Sequence, residues 1–230
     1  MASLKDIRKR IDSVKRTQKT TNAMKMVSAA KLRRSEDNIR EATPYAVKLK
    51  SVVSSLSTRL EGVEQDTGFG RLFRSTEGKR TGVILVTSDR GLCGGFNANL
   101  SKALARKLDE EGIECAELVI LGRKGNDFYK RTNHTILENH TGTPPEEQLG
   151  LVRDIVSGLT KRFEANELDQ VILAYNHFVS VINQEPVIEQ LLPIKAPEAE
   201  STDDREIIFE PSPEDILETL LKKYVQNQVY

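Results

Sequence analysis

The chain has 230 residues, 34 basic and 34 acidic side chains, 38% hydrophobic and 30% charged residues, and a formal net charge of +0. That length allows one sizeable domain plus an extension, and the composition fits a soluble protein rather than a core-rich, compact enzyme. Two cysteines, Cys93 and Cys115, make no disulfide framework and point to a reducing compartment. No run of about 18 apolar residues exists to span a membrane, and no apolar signal segment opens the chain.

The charge is unevenly placed. Residues 1–40 hold twelve Lys or Arg and four acids, 12 − 4 = +8, whereas residues 141–230 hold seventeen acids and seven bases, 7 − 17 = −10. The basic end is also a continuous helix former. From residue 2 to 60 there is no glycine, Pro44 is the only proline, and Ala, Lys, Arg, Leu and Met dominate. One helix over that stretch would be roughly 80–90 Å long at about 1.5 Å per residue and needs a partner along its length. Leu4, Ile7, Ile11 and Val14 step by three and four like a coiled-coil seam. Continued through Gln18, Thr21, Lys25, Ser28, Leu32, Ser35 and Ile39, the seam turns polar and only partly recovers, as expected of a helix whose neighbours are not a dry core, or one that faces more than one partner. A transit peptide is disfavoured because the helical pattern continues past a usual cleavage site.

A Gly-rich polar stretch over 61–80 reads as a connector. Then Gly82-Val83-Ile84-Leu85-Val86-Thr87, apolar on both faces, predicts a buried parallel strand. Helices are predicted over 98–111, with Leu100, Leu104 and Leu108 on one face, over 124–131 and over 145–165, the last with Pro145 at its start. Strands are predicted over 116–121, 135–138, 170–176, 186–194 and 207–209, with an acidic surface loop over 195–206. Alternation of this kind predicts an α/β, Rossmann-like domain, a sheet covered by helices, over 81–212. Ser212 as cap, Pro213 at the first helical position and the acids Glu214 and Asp215 open a last helix over 213–230. Its face carries Leu217, Leu220, Leu221, Tyr224 and Gln228, and the pattern ends unfinished.

The loop Ser88-Asp89-Arg90-Gly91-Leu92-Cys93-Gly94-Gly95-Phe96-Asn97 lies between a strand and a helix, where phosphate-binding loops sit. A Rossmann-like, nucleotide-dependent enzyme with a basic helical extension is therefore the alternative reading. Against it, Gly91-x-x-Gly94-Gly95 matches neither G-x-G-x-x-G nor a loop ending in Gly-Lys-Ser/Thr, and Gly122-Arg123 replaces the ribose-binding acid after the second strand. The glycines instead permit a tight turn and close backbone approach. Asp89 and Arg90 read as a local ion pair or a subunit contact, and Cys93 as a buried structural thiol rather than a reactive one. His134, His140 and His177 are scattered, so no metal site is expected. The basic helix lacks the interleaved aromatics of single-strand nucleic-acid binders and the Trp or Phe of a membrane anchor.

Several separate motifs share one resemblance. Ile7-Arg8-Lys9-Arg10-Ile11, Thr17-Gln18-Lys19-Thr20-Thr21-Asn22-Ala23-Met24-Lys25-Met26-Val27, Ala30-Lys31-Leu32-Arg33-Arg34, the 88–97 loop, Gln190-Leu191-Leu192-Pro193 and Tyr224-Val225-Gln226-Asn227-Gln228-Val229-Tyr230 resemble the γ subunit of F-type ATP synthases, in order along the whole chain. The resemblance implies a non-catalytic rotor shaft. The helix over 1–60 would stand in the ring of α and β subunits, with Met24 and Lys25 where the shaft meets moving β segments. The α/β domain would lie outside that ring near the ε subunit and the c-ring, with Asp89, Arg90, Gly91, Gly94 and Gly95 as a subunit-contact or structural loop. It implies no cofactor, no metal and no nucleic acid, and membrane association only through the complex, at the cytoplasmic face of a bacterial inner membrane. The family's C-terminal helix is longer than 213–230, so a shortened γ subunit, whose first helix lacks its mate, is the expectation.

Overall fold

A computed structural model describes residues 3–59, 70–74, 78–195 and 213–229, side chains at 55–59 and 213–218 excepted. The predicted strand over 207–209, the cap Ser212 and most of the acidic loop lie outside the described residues. The chain divides into two compact units, Met1–Lys48 and Leu49–Tyr230.

The first unit is helical. Helix α1 runs over Leu4–Arg59, close to the extent its lack of helix breakers predicts, and Asp6 sits in its first turn, where a negative charge meets the positive end of the helix dipole. Pro44 lies inside it. A proline there removes one backbone donor, at a cost of about 3 kcal/mol in an ordinary helix interior. From residue 3 to 48 every side chain is exposed except Leu32, Ala42 and Ala46, which are half-buried. The seam residues Leu4, Ile7, Ile11 and Val14 are 77%, 47%, 48% and 62% exposed, so within this unit they have nothing apolar to cover them.

The second unit is a three-layer α/β domain. Its strands are β1 (Thr81–Val86), β2 (Glu117–Leu121), β3 (Thr135–His140), β4 (Gln170–Phe178) and β5 (Gln184–Leu192), in the order β3-β2-β1-β4-β5. β1, β2, β3 and β4 are parallel, whereas β5 runs antiparallel to β4 as a hairpin edge. The alternation of elements predicts the sheet. The reversal at β5 follows from the short 179–183 connection, which leaves no chain for the crossover that a parallel neighbour requires.

Successive residues of β1 face opposite layers, as strand pleating demands. Val83 and Leu85 join Leu100, Leu104 and Leu108 of α2 (Phe96–Glu110) and Tyr129 of α3 (Arg123–Tyr129). Ile84 joins Val152, Ile155, Val156, Leu159 and Phe163 of α4 (Pro145–Glu164), Leu221, Tyr224 and Val225 of α5 (Pro213–Val229), and Leu49 and Val53 from the end of α1. Each fully buried leucine contributes about 1.5–3 kcal/mol relative to exposure. On α5, Leu221 and Tyr224 bury as predicted, Gln228 is exposed, and Val225 takes the remaining core position. Within the 61–80 stretch, a 3-10 turn over Gly70–Phe73 buries Leu72 completely, and its carbonyl accepts from the Ile194 amide at 2.7 Å.

Two polar clamps tie the base of the sheet. Asp169, 5% exposed, accepts from the Arg80 backbone amide at 2.9 Å and from its guanidinium at 2.9 and 2.8 Å, fixing the start of β1 beside that of β4. Arg162 on α4 donates to both Glu117, at the start of β2, and Glu167. These two carboxylates hold the guanidinium pKa above its ordinary value.

Candidate functional site

Two stretches carry the predicted site residues, one in each unit. In the first unit, Met24 and Lys25 are both exposed on α1, Met24 by 60%. Adjacent helical residues point about 100° apart, so the two present different faces. Lys9, Asp12, Ser13, Arg16, Thr17, Thr20, Thr21 and Met24 line one shallow groove along the helix. Three hydroxyls there are already spent. Thr17, Thr20 and Thr21 donate to the carbonyls of Ser13, Arg16 and Thr17 at 3.0, 3.1 and 2.9 Å. Threonine in a helix interior makes this bond to the preceding turn readily. Its effect is an exposed stripe in which these three hydroxyl donors are satisfied.

In the second unit, the 88–97 loop leaves β1 at the C-terminal edge of the parallel strands. Its backbone is pinned at several points. Asn97 Oδ1 accepts from the Ser88 amide at 2.9 Å, its Nδ2 donates to Ser88 Oγ at 2.8 Å and to Cys93 Sγ at 3.2 Å, and Ser88 Oγ donates to the Arg90 carbonyl at 2.6 Å. Asp89 forms no ion pair with Arg90, contrary to one sequence expectation. Its Oδ1 accepts from the Arg123 amide at 3.0 Å and its Oδ2 from the Gly142 amide at 2.8 Å. Convergent amides on neighbouring loops satisfy a carboxylate better than one solvated guanidinium does.

Of the loop glycines only Gly94 takes a left-handed backbone, at φ 59. The freedom expected of Gly91 and Gly95 is not used in that way: Gly95 has φ −82, and Gly91 lies against the Lys124 side chain. Leu92 takes the second left-handed position, at φ 64, with its side chain fully in solvent. An L-residue there costs about 1–2 kcal/mol. Cys93, read as a buried structural thiol, is exposed, because the loop stands off the sheet edge.

Sequence reasoning missed Thr87, Asn97, Gly122 and Gly142 as fasteners. Thr87 Oγ1 accepts from the Gly125 amide at 2.9 Å, and Gly122, at φ 101, packs so close that a Cβ would lie 2.1 Å from the Thr87 carbonyl oxygen. The one available signal was Gly122 after the second strand, read only as a missing acid. Two of the three scattered histidines have partners on the domain, and His177 is exposed. His134 Nδ1 accepts from the Ala116 amide at 3.1 Å, and His140 Nε2 lies 2.8 Å from Glu138. Burial pushes the His134 pKa down, opposed in part by Asp109. Among the described residues no cluster of His, Cys, Asp and Glu is placed to hold a metal ion.

This edge is badly suited to a nucleotide. Two backbone amides of this edge, those of Arg123 and Gly142, are engaged by a carboxylate of the chain itself, whose negative charge repels a second anion. A helix with its apolar and cationic side chains in water is a surface that contacts with other chains would cover.

Comparison with known proteins gives the family. The family model described as ATP synthase matches residues 3–230. The chain is 43% identical over 238 residues to the ATP synthase gamma chain of Geotalea uraniireducens, covering 100% of this chain and 79% of that one. It is 42% identical over 230 residues to that of Desulfitobacterium hafniense, with the same shares of each chain covered. Among solved structures, it is similar to the central stalk/c-ring structure of the Tetrahymena thermophila mitochondrial ATP synthase, at TM-score 0.48 and 20% identity, over 81% of this chain and 89% of that one. The chain belongs to the ATP synthase γ-subunit family. It is a non-catalytic central-stalk subunit, part of the rotor that couples proton flow to ATP synthesis, and the nucleotide-dependent enzyme reading is set aside. It meets the membrane through its complex, and among the described residues no helix is long and apolar enough to cross one.

Proposed function

We propose that the helix over 1–60 is the shaft of the rotor, standing inside a ring of α and β subunits, with Met24 and Lys25 against the moving segments of β. Residues 61–80 form the connector, residues 81–212 the domain that meets the ε subunit and the c-ring, and residues 213–230 belong to a further helix. The loop of Asp89, Arg90, Gly91, Gly94 and Gly95 is a subunit contact on that domain. The complex sits at the cytoplasmic face of a bacterial inner membrane. The observation that carries this reading is the exposure of both the apolar seam and all twelve basic side chains of residues 1–40. Such a helix is stable only with partners, and its positive field suits acidic ones. Satisfied threonine hydroxyls favour turning over sticking, since few directional bonds must break as a neighbour passes.

The test is assembly with α and β subunits, followed by photo-crosslinking from positions 24 and 25. Crosslinks to β at both positions are expected. Assembled heads whose crosslinks from 24 and 25 reach no β subunit would overturn the placement.

A further inference from the structure

We infer that Asp89 is a positioning residue whose carboxylate locks three loops at the sheet edge into one stiff platform, so that force arriving at Leu92–Gly95 from a neighbouring subunit passes into the sheet. The inference rests on the reading of this loop as a subunit contact. Asp89 belongs to the loop after β1, Arg123 opens α3 and is separated from β2 only by Gly122, and Gly142 belongs to the turn after β3. One side chain therefore joins three consecutive strand ends, through bonds of 3.0 and 2.8 Å to partners 34 and 53 residues away. Around it the same edge is cross-tied: the Lys124 amide donates to the Ser88 carbonyl at 3.1 Å and the Gly122 amide to the His140 carbonyl at 2.8 Å.

The loop is also strained. Leu92 holds a left-handed backbone with no packing to reward it, since its side chain is wholly solvent-exposed. Strain of that kind persists only where the surroundings over-determine the conformation, and it collects at contact and switch regions. A pliable glycine loop would relax Leu92 and bend under load. Bonds from amides on two neighbouring segments to one charged acceptor prevent that, because each is stronger than a neutral bond and together they fix the carboxylate in direction as well as position.

The test uses the assembled ATP synthase carrying Asp89→Asn or Asp89→Ala. The amide keeps one acceptor oxygen and turns a donor toward the second amide, so it gives a graded variant should the alanine chain fail to assemble. Hydrogen exchange at the Arg123 and Gly142 amides is expected to rise by about tenfold or more, as loss of a bond to a charged group predicts. At matched amounts of assembled enzyme, the ratio of ATP-driven proton pumping to ATP hydrolysis is expected to fall. A residue that only supports folding would lower assembly yield or melting temperature and leave that ratio alone. Faster exchange with an unchanged ratio, or unchanged exchange, would overturn the brace. A photoreactive maleimide on the exposed Cys93 of the wild-type complex tests the underlying reading separately. Crosslinks to a neighbouring subunit sustain it, and their absence removes the contact reading and the brace with it.

Discussion

The two units hold their shape by different means. Between residues 3 and 48 no side chain is buried, whereas Val83, Ile84 and Leu85 on β1 are all fully buried. Helix α1 there rests on backbone hydrogen bonds and residue propensity, which are marginal in water without a packed face. The domain rests on apolar burial against both faces of a sheet, which is cooperative and sensitive to shape. A rotor needs both properties, since a surface that must meet several neighbours in turn cannot bury itself, while a structure that passes on force must not yield.

Substitutions should separate the two regimes. The largest effect is expected for Gly122→Ala in the domain. Its φ of 101 and the 2.1 Å approach of the new Cβ to the Thr87 carbonyl combine backbone strain with overlap, and neither is relieved by a rotamer change. The expected loss is about 2–6 kcal/mol, read from denaturant unfolding. Near-wild-type stability would mean that the crest is softer than its hydrogen bonds indicate.

In the first unit the next largest change should have the opposite sign. Pro44→Ala restores a backbone donor inside α1 and should stabilise the helix locally by up to about 3 kcal/mol, seen as slower amide exchange around residues 40–48. The domain's unfolding midpoint should not move. If it did, the two regions would unfold together and the contrast between them would fail.

A pH dependence should appear in the domain. Burial lowers the folded-state pKa of His134, and its neutral Nδ1 accepts the Ala116 amide. The unfolded chain therefore binds the proton more readily. The stabilisation is complete above the ordinary histidine value of 6.5 and is lost as pH falls through the lowered folded-state value. Melting curves between those limits should show falling stability with acid, and His134→Gln should flatten that slope.

The smallest effect is expected for Ile11→Ala. At 48% exposure in its unit, Ile11 has no core to leave, so the isolated chain should change by less than about 0.5 kcal/mol. The informative readout is the assembled complex, where the same substitution should weaken retention of this chain. A large loss in the isolated chain would show that Ile11 is already packed.

Much of this was legible in the order of residues. The absence of glycine from 2 to 60 gives α1 almost to its ends, and the double-faced apolar run at 82–86 gives a central parallel strand, because helix propensity and strand burial leave local, periodic traces. The resemblance of the 88–97 loop and the Met24–Lys25 region to one family carries the function, which no periodicity in the chain would supply. Less legible was how the loop works. Asp89 beside Arg90 invites an ion pair, and the actual partners lie on other turns, brought near only when β2 and β3 line up beside β1. Leu92 looks like any apolar loop residue, and nothing local announces its left-handed backbone. Cys93 sits in a glycine-rich motif that reads as close-packed, but its side chain is exposed.

Amino-acid order alone therefore determined the long helix, the alternating α/β domain and the uneven charge, since each depends on neighbours within a few turns or on simple composition. Tertiary structure decided which faces stay uncovered, the antiparallel course of β5, the burial of Leu72, and the use of one carboxylate to fasten three strand ends. Those features depend on groups dozens of residues apart, whose meeting is set by sheet order and layer packing and leaves no periodic mark in the chain.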